Sequence, residues 1–447
     1  MISGRDVIYI SSIEWNFLWQ GHQEIALRLA AAGNRVLYIE NTGVRSPGLR
    51  DAGRVALRLK RWAKALRSQG VRQVAPNIYV ASPLALPPFG SRWRREINRR
   101  IFLPWVQRAA RSLGMRDVLV WTYLPSDTTI DLIRLMREPR SAVVYYCVAD
   151  FTQLTPHVRQ LVESEQEVVT ESDVVFTNCA ELATKFSVWN PNVHVFPFGV
   201  NLDAFPLETN GAGRVTKTLS KETRATGDET NAASGVAAGN GHHPALSGSN
   251  AAQTNPEQSN LEKLRELPRP IIGYVGGLHR HVDFELLREM ALARPRWSWV
   301  CVGARQTPVD GVAELPNVFL PGQQPHKELV EYIRLFDVCI VPYVNSIYTT
   351  TVVPTKINEY LAVGKPVVST DLPTVCEFNE EHDVLITAAA RPAEFLQGIE
   401  EALRLPKDAE TVARRREVAA LGDWQARLES MSELIQVRLP SDADATK

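Results

Sequence analysis
Lys356 and Glu359 are the residues of this chain whose types and spacing best suit chemistry. They lie three apart in PTKINEYLAVGKPVVST, residues 354–370. Residues three apart share a helix face. Pro354 suits a first helical turn, because it has no N–H to leave unpaired. A helix N-terminus carries partial positive charge and free N–H groups, which suits a phosphate. There a lysine could neutralise the phosphate, and a carboxylate one turn on could accept hydrogen bonds from a ribose diol. The alternative is an exposed ion pair on a helix that packs its other side on a core.

The elements that must position these residues are readable around them. Ile357, Tyr360, Leu361 and Val363 give the helix an apolar face. Gly364 stops it, Lys365 favours its C-terminal dipole, and Pro366 prevents continuation. Strands are expected at Asp6–Ser11, Arg35–Ile39, Asn77–Ser82, Asp117–Trp121, Ala142–Tyr146, Asp173–Asn178 and Asn192–Phe196. A second series falls at 271–275, 297–303, 317–320, 337–343, 366–370 and 383–386. Helices separate them, at 20–32, 50–68, 91–113, 283–293, 325–335, 355–363, 391–403, 408–418 and 423–437 among others. In 91–113 the expected apolar side is Trp93, Ile97, Ile101, Phe102, Trp105 and Val106. Strands alternating with helices imply parallel pairing, so the fold class is α/β with two doubly wound sheets. Ligands of such sheets sit at the C-terminal strand edge, here in the cleft between two domains.

A chain of 447 residues is too long for one ordinary core, and 45% hydrophobic with 22% charged residues is a globular balance. The domains are read as 1–208, a disordered insertion at 209–260 rich in Gly, Ala, Ser, Thr and Asn, a second domain at 261–420, and a last helix and tail at 421–447 crossing back to the first domain. The net charge is zero, yet Arg45–Arg116 holds seventeen basic and two acidic residues, an excess of +15. Within it, Val55, Leu59, Trp62 and Leu66 line one side of a basic amphipathic helix, the pattern of an interfacial helix on an anionic membrane surface. Five scattered cysteines without a CxxC suggest a reducing compartment. Residues 1–20 do not read as a secretory signal, and no window of 18 apolar residues reads as a membrane span.

The 354–370 segment, preceded by DVCIVPYVNS, resembles the donor-nucleotide segment of GT-B glycosyltransferases, with the nearest likeness to bacterial family 4 (group 1) enzymes of cell-surface polysaccharide synthesis. IIGYVGGLHRHVDFELL at 271–287, FPFGVNLDAF at 196–205 and residues 11–41 are similar to three further stretches of that family. The resemblance implies a GT-B fold: two Rossmann-like domains facing a cleft, the first for the acceptor and the second for the nucleotide sugar. By that likeness Gly276 and Gly277 let backbone approach a diphosphate, Arg280 and Lys356 contact phosphate, and Glu359 binds the ribose. Many retaining members carry a second glutamate eight positions upstream; here that position is Thr351, which with Thr350 still offers polar groups to the sugar.

The same resemblance implies a cytoplasmic glycosyltransferase on the inner face of the cell membrane. Its donor is a UDP- or GDP-linked sugar, used as substrate and not as a cofactor. Its acceptor is a lipid-linked or envelope saccharide. Asp150, at the C-terminal edge of AVVYYCV, is the candidate base or acceptor-orienting group, with His22 in WQGHQ as its competitor. No H-x-x-x-H or D-x-D spacing suggests a metal site, so transfer is expected to be metal-independent. Nucleic acid would meet the same basic field, but a lipid-linked acceptor is the simpler partner. An epimerase sharing the nucleotide site, and a decayed membrane-bound scaffold, are the competing readings. A dehydrogenase is disfavoured by the lack of G-x-G-x-x-G after the first strand.

Overall fold
The structure, a computed structural model, describes residues 1–16, 19–40, 70–83, 85–89, 91–197, 199–207 and 259–439. Short runs rich in Val, Ile and Tyr form two sheets, and helices cover both faces of each, so the strands are apolar on both sides. The first sheet contains β1 (Asp6–Ile10), β2 (Arg35–Ile39), β3 (Val71–Ala75), β4 (Ile78–Ala81), β5 (Leu119–Thr122), β6 (Ala142–Cys147), β7 (Val174–Thr177) and β8 (Val193–Val195). Their order is β3-β4-β2-β1-β5-β6-β7-β8. All pairs are parallel except β3 with β4. The second sheet contains β9 (Ile271–Val275), β10 (Ser298–Val302), β11 (Val318–Gly322), β12 (Val338–Val341), β13 (Val367–Thr370) and β14 (Ile386–Ala388), all parallel, in the order β11-β10-β9-β12-β13-β14. Strand order therefore reverses at β1/β5 in one domain and at β9/β12 in the other. Crevices for ligands open at such switch points.

The two domains are joined where the chain passes twice. Val200 N–H donates to the Gly422 carbonyl at 2.8 Å, and Trp424 N–H donates back to the Val200 carbonyl at 3.1 Å. A Cβ on Gly199 would lie 2.6 Å from the Gly422 oxygen, so the two passes touch as bare backbone. The last helix, Trp424–Gln436, then returns to the first domain. Its Trp424, Leu428, Met431 and Ile435 share a buried cluster with Tyr9, Ile25, Leu29 and Tyr38.

Several expectations are corrected. The 91–113 segment is not one regular helix. It runs as Arg92–Ile97, a π turn at Asn98–Phe102, then Leu103–Ser112. Pro104 has no N–H for a regular bond to the preceding turn, and buried Asn98 is tied to both backbone groups of Leu86 and to Thr128 Oγ1. The apolar side divides accordingly: Phe102, Leu103, Val106, Ala109 and Ala110 are buried, while Trp93 is 59% and Ile101 53% exposed. The insertion ends earlier than residue 260, because Ser259 caps a helix at Asn260–Glu266 with a reciprocal Glu262 contact. Residues 208–258, and the helix expected at 50–68, lie outside the described residues. The strand β3 and the Pro373–His382 helix were not expected.

Candidate active site
The glycine turn after β9 sits over the Thr355–Ala362 helix. Gly276 has φ +148, and a Cβ there would lie 2.8 Å from Lys356 Cε. The Gly277 carbonyl accepts from Tyr274 Oη at 3.1 Å. Gly303, at the end of β10, has φ +155, and its Cβ would overlap the Gly276 carbonyl. Small residues are thus required on both sides of the turn.

Lys356 is buried, and its ammonium reaches along this turn. It donates to Tyr343 Oη at 2.5 Å and lies 4.9 Å and 5.3 Å from the Tyr343 and Tyr274 ring centroids. The rings' negative faces replace part of the water this cation has lost. Lys356 does not pair with Glu359, so the exposed ion pair weighed from spacing does not form. The Glu359 carboxylate has no hydrogen-bond partner among the described residues. Burial pushes its pKa up, His326 and Lys356 oppose this, and Glu24 adds to it.

Glu24 stands on the first domain. It accepts from Trp19 Nε1 at 2.6 Å and from Asn201 Nδ2 at 3.2 Å. Trp19 in turn lies 6.1 Å from the His326 ring. Glu359 is therefore held in a partly dry interdomain corner with one carboxylate and one imidazole for company.

Arg280 is exposed beside two imidazoles. His279 and His281 are both held below the usual histidine range, first by burial; for His279, at about 4, Lys356, His281 and Arg280 add to it, and for His281, Arg280 does. His281 stacks on Tyr348 at 4.3 Å. Around neutral pH the charge of this corner thus comes from Lys356 and Arg280, with neutral imidazoles as polar neighbours.

Thr351 is buried between the domains. Its Oγ1 accepts from the Asp150 N–H at 3.2 Å, and its carbonyl accepts from Asn178 Nδ2 at 2.9 Å. The Thr350 hydroxyl donates to the Ile347 carbonyl at 2.7 Å. Asp150 caps the turn at Phe151–Leu154, its Oδ1 accepting from Thr152 N–H at 2.9 Å. Oδ2 makes no hydrogen bond among the described residues. His22 is on the other switch point, in the first turn of the Gly21–Ala31 helix. Its ring lies 3.8 Å from that of Tyr123, and Nδ1 is 3.0 Å from Ser11 Oγ.

The structure therefore gathers Gly276, Gly277, Lys356 and Glu359 at the β9/β12 switch point, with Arg280 at its rim. It gathers Asp150, Thr351 and Thr350 at the domain contact, and puts His22 on the first domain's own crevice. Sequence reasoning missed Tyr274, Tyr343, Asn178, Glu24 and His326. Tyr343 and Tyr274 had a usable signal, since Tyr274 lies near the end of β9 and Tyr343 two residues beyond the end of β12, both at this edge.

Two Rossmann-like domains with a switch-point site facing the cleft define the GT-B fold. Solved structures agree in fold. Sucrose-phosphate synthase from Thermosynechococcus elongatus superposes with a TM-score of 0.62 at 16% identity, covering 97% of this chain and 98% of that one. HepE of Anabaena, in complex with UDP and glucose, gives 0.59 at 13% identity over 96% and 99%. Residues 269–404 match the family described as Glycosyl transferases group 1, and this segment is a domain of that family. A Bacillus subtilis (strain 168) protein named for teichuronic acid biosynthesis, the glycosyltransferase TuaH, is 34% identical over 158 residues. That alignment covers 34% of this chain and 40% of the relative's length.

Proposed function
We propose that the chain transfers a glycosyl group from a UDP- or GDP-linked sugar to a lipid-linked or envelope saccharide. The observation that carries the reading is the Lys356 ammonium lying along the Gly276–Gly277 turn while the neighbouring Glu359 carboxylate is left without a donor. A diphosphate on the turn gives Lys356 its counter-charge, and a ribose diol gives Glu359 its missing hydrogen bonds. The solved relative HepE holds UDP, which supports a uridine nucleotide first.

In the reaction the bond from the anomeric carbon to the diphosphate oxygen breaks, and the acceptor oxygen bonds to that carbon. Lys356, Arg280 and helix N–H groups stabilise the negative charge that grows on the leaving diphosphate. This charge balance lets transfer proceed without a metal. The acceptor hydroxyl's proton goes to Asp150, whose Oδ2 is unengaged, in an inverting reaction; in a retaining one Asp150 orients the acceptor. Thr350 and Thr351 wall the sugar side, where Thr351 also ties the domains together.

The acceptor reading rests on the TuaH likeness and on the basic first domain. Exposed Trp93 and Ile101 lie among Arg92, Arg94, Arg100 and Arg108. Among the described residues Arg92, Arg94 and Arg108 have no acidic partner. Such a surface suits peripheral docking on an anionic leaflet, each basic residue contributing on the order of 1 kcal/mol. No helix among the described residues is long and apolar enough to cross a membrane.

The test is incubation with a panel of UDP- and GDP-sugars, with and without a lipid-linked saccharide, in chelator. Transfer from one donor, only when the acceptor is present, supports the reading. Sugar isomerisation without acceptor would instead mark an epimerase, and inertness with no nucleotide bound would mark a scaffold.

A further inference from the structure
We infer that Asn178 is a positioning residue: its amide fixes the Asp150 segment of the first domain against Thr351, in the segment of the second domain that leads to Lys356. The inference rests on the transferase reading for what Asp150 does, and on geometry alone for how Asp150 is held.

Asn178 directly follows β7, and Asp150 lies in the loop that leaves β6. The two strands are neighbours, so both residues stand on one stretch of the sheet's C-terminal edge. Asn178 grips the β6 exit twice. Its N–H donates to the Cys147 carbonyl at 3.2 Å, and its Nδ2 donates to the Val148 carbonyl at 2.8 Å. Nδ2 also crosses the domain boundary to the Thr351 carbonyl at 2.9 Å. From the other side, Thr351 Oγ1 accepts from the Asp150 N–H at 3.2 Å. Asn178, the β6 exit, Asp150 and Thr351 thus form a closed ring of contacts.

The chemistry of the partners fixes the orientation of the amide. Carbonyl oxygens only accept, so the group facing Val148 and Thr351 is the NH2. Oδ1 is then turned away, and it is buried with no hydrogen-bond partner. Asn178 as a whole is 1% exposed, and Thr351 is 2% exposed. A buried acceptor left unpaired weighs against stability. Stability alone therefore does not account for an amide at this place. What the amide provides is a two-pronged bridge between carbonyls of different domains.

The far side of the bridge is itself held. Thr351 ends a short turn at Thr349–Thr351, in which Thr349 Oγ1 donates to the Val344 carbonyl at 2.7 Å. The Val352 carbonyl accepts from Thr374 Oγ1 at 2.7 Å. Val353 packs on the first-domain cluster that includes Cys147, Phe151 and Cys179. Lys356 follows in the first turn of the next helix. The segment that offers its lysine to the diphosphate is therefore the one that Asn178 and Asp150 hold. This clasp fixes how far the Asp150 carboxylate stands from a sugar on that diphosphate.

Amide hydrogen exchange of the empty, full-length chain tests the clasp. Asn178→Leu removes the donors at roughly constant side-chain volume, and Thr351→Val removes only Oγ1. Both should speed exchange of the Asp150 amide by about tenfold or more, while the amides of β1 and β9 keep their wild-type protection. For Asn178→Leu this is a positional effect, because the Thr351 acceptor is still present. Wild-type protection of Asp150 in both variants would overturn the clasp. Loss of protection in β1 and β9 of Asn178→Leu would mean general unfolding, and Thr351→Val then decides. In turnover, Asn178→Leu should lower kcat on the order of 100-fold, as a misplaced reacting group does, with UDP affinity and donor KM within about threefold of wild type. UDP affinity falling as far as kcat would mark a merely structural role and overturn the positioning. In an Asp150→Asn background the same substitution should cost less than about threefold. A full loss there would show that Asn178 does not act through Asp150. Because exchange is read without donor or acceptor, a failure of the transferase reading is distinguishable from a failure of the clasp.

Discussion

The Lys356 ammonium donates to the Tyr343 hydroxyl at 2.5 Å and leaves Glu359, one turn further along the same helix, without a cationic partner. Two charged residues that share a helix face are thus kept apart by long-range packing. Each is left with unsatisfied capacity, one for an anion and one for hydrogen-bond donors. Burial of the unpaired carboxylate costs stability, and the proposed function assigns a nucleotide to relieve it.

Glu359→Gln should therefore stabilise the empty protein. A carboxylate whose pKa is raised on folding has its full stability below the ordinary value of 4.5 and loses it as pH rises through the raised value. At neutral pH the amide removes this loss, and Tm should rise by about 1–3 °C. The advantage should vanish near pH 4.5, where the native carboxyl is already protonated. Thermal unfolding at both pH values checks this; a lower Tm at neutral pH would show that Glu359 has a stabilising partner.

Gly276→Ala should weaken nucleotide binding as well as folding. The new Cβ meets Lys356 Cε at 2.8 Å, and the far end of a lysine can move aside. The backbone at φ +148, which side chains other than glycine rarely adopt, adds about 1–3 kcal/mol of strain. The displaced ammonium should lower nucleotide affinity about tenfold, a loss of about 1.4 kcal/mol. Affinity equal to wild type in a folded variant would mean that the turn does not carry the phosphate.

Acid should destabilise the protein through its buried histidines. His22 and His279 are held at about 3 and about 4, below their ordinary 6.5, so the unfolded chain binds protons that the native one refuses. Stability is then present above 6.5 and falls as pH drops toward these values, by up to about 1.4 kcal/mol per pH unit for each group. His22→Gln should reduce the slope by about one proton between pH 6 and pH 4. Urea unfolding across that range measures it, and an unchanged slope would contradict the neutral state of His22.

Trp93→Ala combined with Ile101→Ser should reduce vesicle binding without loss of fold, because both side chains are mostly in solvent. Wild type should co-sediment with vesicles containing anionic lipid at low salt and release at high salt. Equal recovery on neutral and anionic vesicles would remove the membrane from the account.

How much of this was readable in advance depends on how local each signal is. The two sheets were readable because DVIYI, IIGYV and their kin are buried on both faces and punctuated by glycine and proline. The strand VRQVA at 71–75 was not, because it lies at the sheet edge with Arg72 and Gln73 exposed. PTVCEFNEEH at 373–382 shows little apolar face, with only Thr374 and Val375 buried. Within the site, spacing correctly put Lys356 and Glu359 on one helix. It could not show that Tyr343 and Tyr274 would draw the lysine away, since those contacts depend on the strand order of the second sheet. The exposure of Trp93 and Ile101 was hidden for a related reason: the π turn at Asn98–Phe102 shifts the phase on which an amphipathic reading depends.

Calorimetric titration of UDP and GDP into wild type, Lys356→Ala and Glu359→Ala tests the central claim most directly. Wild type should bind one of the two nucleotides at a single site, and each variant should lose about 1–3 kcal/mol of that affinity with its fold intact. Failure of wild type to bind either nucleotide, or unchanged affinity in both variants, would contradict the assignment of this corner as the nucleotide-sugar site.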